Sequence, residues 1–228
     1  MPDRGFTSQH RAMGRTAGWG VFCLGAVYSV TLVLGFLSIK SPQDPIGDPY
    51  FGIMELLIIL MLPFMVVSMV AVHAYASPET KAYSLVALVF MILVTSISSS
   101  VHFVLLTVGR QVESTNSTWV PWILSFKWPS VTYALDILAW DWFFALSMLF
   151  AAPVFQAGRL EKTVRILMIV SGVLSLIGLI GVPLANMQVR NIGIIGYGVT
   201  APIVFLLLGI VFGRIQHDLS PKTQVSGS

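Results

Sequence analysis

The sequence predicts an all-α integral membrane protein, a bundle of six transmembrane helices with both termini on the cytoplasmic side. Three observations carry this reading: a scarcity of charge, six apolar runs of spanning length, and an uneven distribution of Lys and Arg. Of the 228 residues, 56% are hydrophobic and 10% charged, where a soluble domain carries about 25% charged residues. Mean hydropathy is +0.84. So few charges cannot cover a globular surface, so the chain needs the bilayer as its solvent. The apolar runs are 18–38, 52–74, 82–109, 130–155, 163–184 and 192–213. Each is long enough to cross a hydrocarbon core of about 30 Å as a helix. In lipid only helices or closed barrels satisfy the backbone, and these runs are too long and continuous for barrel strands.

Taken in order, residues 1–17 read as a cytoplasmic N-terminal segment and 18–213 as the transmembrane domain. The first run is a full span without a cleavage site, so it is read as a retained helix rather than a signal peptide. It contains the single cysteine, Cys23, which leaves no internal disulfide and no cysteine metal site. Between spans one and two, segment 39–51 holds three prolines and two aspartates and should be irregular. Segment 110–129 carries Trp119, Trp122 and Trp128 with Pro121 and Pro129, a composition suited to the headgroup layer. It is expected to form a short interfacial helix over the bundle mouth. Asn116-Ser117-Thr118 within it is a glycosylation sequon. Segment 185–191 is expected to be the third loop on that side, and 214–228 a disordered cytoplasmic tail.

Orientation follows from the positive charges. Arg4, Arg11, Arg15, Lys81, Arg159, Lys162, Arg165, Arg214 and Lys222 fall on the side of the termini, and Lys40, Arg110, Lys127 and Arg190 on the other. Nine against four places both ends in the cytoplasm. The expected membrane is the plasma membrane in a bacterium and the endoplasmic reticulum in a eukaryote. The net charge of +3 resides in short loops, so nucleic acid is not an expected partner. The partners expected are the lipid bilayer and a hydrophobic small molecule.

Ionisable side chains inside a span are costly and usually face the bundle interior. Four stand out: Glu55, His102, Asp136 and Asp141. Counted from the span ends, Glu55, His102 and Asp136 lie roughly 6–12 Å below the outer boundary. They share that depth on three successive helices, so a common outward-facing pocket is expected. Asp141 is deeper, near the midplane, and about 140° around the helix from Asp136 by the 3.6-residue period. Ser98 and Ser99 precede His102 by four and three residues and share its face, a spacing equally suited to close helix packing. Tyr133, Trp140, Trp142 and Phe144 surround the two aspartates, and Tyr197 enters at similar depth among glycines. These residues are the expected substrate-binding walls. Glu55, His102 and Asp136 are also a donor set that would suit iron, manganese or zinc, although the leading expectation is a site without metal or cofactor.

Three functions fit this inventory. The first is a membrane-embedded enzyme acting on an apolar, isoprenoid- or sterol-like lipid by acid–base or carbocation chemistry. There Asp136 serves as acid, Glu55 or His102 as base, and aromatic faces stabilise positive charge. Small multi-helix terpene cyclases and sterol isomerases are similar in size and polar inventory. The second is a proton-linked transporter using the carboxylates and His102 as a relay. The third is a noncatalytic subunit or assembly factor whose buried polar groups join helices. No span contains a lysine for a retinal Schiff base, and no phosphate-binding loop or nucleophile elbow occurs.

Overall fold

A computed structural model describes residues 6–41, 44–112 and 118–214. Asn116 and Ser117 of the sequon and the tail from 215 onward lie outside the described residues. Arg214 itself ends the last helix. The helices are α1 (Ser8–Ser38), α2 (Tyr50–Tyr75) and α3 (Pro78–Val112), the short α4 (Val120–Ile123), and α5 (Val131–Val154), α6 (Gly158–Ile180) and α7 (Met187–Arg214). The six long helices are all long and apolar enough to cross a membrane, and no strand occurs among the described residues. Each long helix packs on the next, and α7 returns against α1 to close a ring. The first and last described residues lie at one end, where the Phe6 and Phe212 rings are 5.8 Å apart. The opposite, loop end carries α4.

Helix limits depart from the apolar runs where polar residues cap them. α1 begins at Ser8, well ahead of residue 18, because Thr7 and His10 satisfy each other's backbone: His10 N donates to Thr7 Oγ1 at 3.4 Å and Thr7 N to His10 Nδ1 at 3.2 Å. α5 starts on Ser130, whose Oγ accepts from Tyr133 N at 3.2 Å. α7 starts on Asn186, whose Oδ1 accepts from Gln188 N and Val189 N at 3.0 and 3.2 Å. The expected loop 185–191 is therefore mostly helix, a correction with a consequence: Arg190 enters the bundle on the first turn of α7. α6 and α7 cross with backbones in contact. A Cβ on Gly178 would stand 2.6 Å from Gly193 Cα and 2.8 Å from the Arg190 carbonyl oxygen, so only glycine fits there.

The half of the bundle nearer the termini is sealed by side chains closed to solvent, among them Met65, Met69, Met91, Met148, Met168, Phe205 and Phe212. Methionine's flexible thioether suits such irregular gaps between helices. Hydroxyls stitch this region without adding charge: Ser147 Oγ donates to the Ala87 carbonyl at 2.8 Å, and Ser171 Oγ to that of Gly196 at 2.8 Å. Among the described residues the buried Asp, Glu, His and Arg side chains are Glu55, His102, Asp136, Asp141 and Arg190.

Candidate functional site: a buried carboxylate–imidazole–carboxylate row

Glu55 on α2, His102 on α3 and Asp136 on α5 meet. His102 Nδ1 lies 2.7 Å from Glu55 Oε2, and its Nε2 lies 3.4 Å from Asp136 Oδ1. The second contact is at ion-pair distance but lacks hydrogen-bond geometry, which leaves Nε2 without a hydrogen-bond partner. All three side chains are nearly closed to solvent, at 2% for Glu55, 1% for His102 and 5% for Asp136. The row continues from the same Asp136 oxygen. Ser98 Oγ donates a long bond of 3.5 Å to Asp136 Oδ1 and accepts from Trp140 Nε1 at 3.1 Å. Ser99, by contrast, is half-buried beside this line.

The segment over the mouth is held by its own hydroxyls. Ser130 Oγ and Thr132 Oγ1 donate to the Ser125 carbonyl, the latter at 2.9 Å. This places the Phe126 ring 5.6 Å from the His102 imidazole and 5.2 Å from the Tyr133 ring. Phe126 was not visible as a site residue, since a loop phenylalanine carries no periodic signal. Trp119 and Trp122 stay exposed on the outside of this segment, and α4 is the expected short helix.

A second centre lies beside the first. Asp141 and Arg190 are both buried, at 0% and 3%, and Arg190 Nη2 stands 3.4 Å from Asp141 Oδ2. Arg190 also lies over two of the expected aromatic walls, 5.1 Å from the Tyr133 ring centre and 5.9 Å from that of Tyr197. The Trp140 ring lies tilted against two others, 5.3 Å from Tyr197 and 5.6 Å from Phe144. The rings expected to stabilise a developing carbocation thus already hold a cation of the protein. Trp142 points away from this group and is 41% exposed; one residue on from Asp141 is about 100° around a helix.

Three helices loosen into π-helical turns at this level: Leu105–Gly109, just past His102; Leu138–Phe144, around Trp140 and Asp141; and Ile195–Thr200, around Tyr197. Such turns bond residue i to i+5 and recur at functional sites. In α5 the wider turn narrows the 140° offset between Asp136 and Asp141 expected of a regular α-helix. The two carboxylates nevertheless form no dyad, because Asp136 faces the His102 imidazole and Asp141 the Arg190 guanidinium.

The donor geometry does not suit a metal. Glu55 and Asp136 occupy opposite nitrogens of one imidazole, and among the described residues no group of three His, Cys, Asp or Glu side chains is arranged to hold a metal ion. Toward the termini end, residues 56–72, 85–101, 142–154, 166–180 and 191–213 contain no Asp, Glu, His, Lys or Arg. Beyond this gap His73 Nδ1 pairs with Ser84 Oγ at 2.9 Å, and Tyr75 donates to Glu161 Oε1 at 2.7 Å.

Fold and site together define a multi-pass helical protein with a one-sided, buried acid–base cluster. No family model, curated protein or solved structure matches the chain.

Proposed function

We propose that this chain is a membrane-embedded enzyme that moves protons on an apolar, isoprenoid- or sterol-like lipid, with Glu55, His102 and Asp136 as its acid–base apparatus. The observation that carries the reading is the row itself: an imidazole held between two carboxylates, out of water. Such a row suits a redox-neutral isomerisation. Asp136 gives its proton to one carbon of the substrate, and Glu55 takes a proton from another. The substrate keeps its atoms and electrons but has a shifted double bond. His102 then accepts the proton from Glu55 at Nδ1 and gives the one on Nε2 to Asp136 as their 3.4 Å contact shortens. Both carboxyl groups return to their starting states, the imidazole is left as its other tautomer, and exchange of that proton between turnovers completes the cycle. Phe126 above the imidazole supports exclusion of water during transfer.

Two details weigh on the alternatives. Arg190 against Tyr133 and Tyr197 favours simple proton transfer over a long-lived carbocation, whose stabilising rings would have to be vacant. The uncharged stretch between the row and His73 counts against a proton path across the whole bundle. By the positive-charge count, the site would open toward the outer side.

The test is mass spectrometry of a solvent extract from protein purified gently in detergent. A stoichiometric apolar compound with a carbon–carbon double bond is expected. An empty protein whose reconstituted vesicles carry a proton flux would replace this reading with transport.

A further inference from the structure

One turn outward of Glu55 and His102, a cleft of about 420 Å³ opens between the start of α2 and the end of α3. Ile53, Leu56 and Leu106 form its apolar walls, and Asp48 and Arg110 stand at its rim. The rim is unusual in carrying one full charge of each sign. Arg110 Nη2 donates to Asp48 Oδ1 at 2.5 Å, and both side chains remain substantially exposed. The guanidinium lies over Gly52, where any Cβ would collide with it. Asp48 Oδ1 also accepts from Gly52 N at 3.1 Å, so the carboxylate is anchored on the first turn of α2.

We infer that this cleft binds a phospholipid with a zwitterionic, phosphoethanolamine-type headgroup. Charge complementarity selects that class. Arg110 presents a planar donor fork for the phosphate, and Asp48 an acceptor for the ammonium. A purely anionic headgroup would meet the Asp48 carboxylate. A neutral lipid would leave the pair with nothing to gain over its own contact. One acyl chain lies along Ile53, Leu56 and Leu106, at the level where a headgroup meets hydrocarbon. This site is independent of any proton chemistry at His102.

Native mass spectrometry in detergent tests it, with phosphatidylethanolamine and phosphatidylglycerol of matched acyl chains supplied in equal amounts. The wild type should retain phosphatidylethanolamine in preference. Arg110→Ala should lose about tenfold of that retention, the loss of one charge-assisted contact. Asp48→Asn keeps the cap on Gly52 and should shift preference toward phosphatidylglycerol. Gly52→Ala should weaken retention by displacing the guanidinium. Equal retention by the wild type and Arg110→Ala, both folded by circular dichroism, would mean annular lipid only and overturn the inference. So would equal binding of both lipids to the wild type. His102→Asn should bind as the wild type does, so loss of turnover and loss of lipid are separable.

Discussion

Arg190 and Asp141 face each other across the α5–α7 contact at 3.4 Å, both sealed from solvent. The pair is an internal charge neutralisation that holds two helices in register beside the acid–base row. Gly193 makes room for it, since a Cβ there would collide with the Asp141 carboxylate.

Removing one partner leaves a bare charge in a dry interior. Arg190→Met should therefore destabilise the protein by about 3–5 kcal/mol, and the double variant Arg190→Met/Asp141→Leu should recover much of that loss. Thermal unfolding in detergent reads both. A double variant no more stable than the single one would show that the pair does more than cancel charge.

Gly178→Ala should cost about 1–3 kcal/mol by overpacking. The added methyl meets Gly193 backbone and the Arg190 carbonyl, none of which can rotate aside. The same measurement checks it, with Gly47→Ala as a control, since a Cβ there has open space.

Ser130→Ala removes the cap of α5 and one tether to Ser125. A loss of about 1 kcal/mol is expected. Hydrogen exchange should rise in 118–129 more than in α5, because the tether holds Phe126 over His102.

Trp142 faces outward and Trp140 inward. In single-tryptophan variants reconstituted with lipids brominated on their acyl chains, Trp142 should be strongly quenched and Trp140 weakly. Equal quenching would contradict the orientation of α5.

The sequence revealed the row because charge is so rare in these spans. Glu55, His102 and Asp136 stood at one depth, and antiparallel neighbours carried them together. Arg190 escaped for the opposite reason: a hydropathy window treats a charge as the end of a span, so residues 185–191 read as loop. Asn186, a good helix cap followed by helix formers, was the available signal. The π-helical turns could not be read, because a one-residue register shift leaves composition unchanged. That shift altered the angle between Asp136 and Asp141. Phe126 was hidden because its position depends on how a loop residue folds back onto the bundle.

The most direct measurement compares the lipid extracts of membranes carrying the wild type, Glu55→Gln, His102→Asn and Asp136→Asn at equal amounts of folded protein. The account predicts a pair of isomeric apolar lipids whose ratio is set by the wild type and reverts to that of empty membranes in all three variants. Each substitution is close to isosteric and removes a proton-transfer group without opening a large cavity. Identical isomer ratios in wild-type and variant membranes, with the variants fully folded, would contradict the central claim and leave the row as a joint between helices.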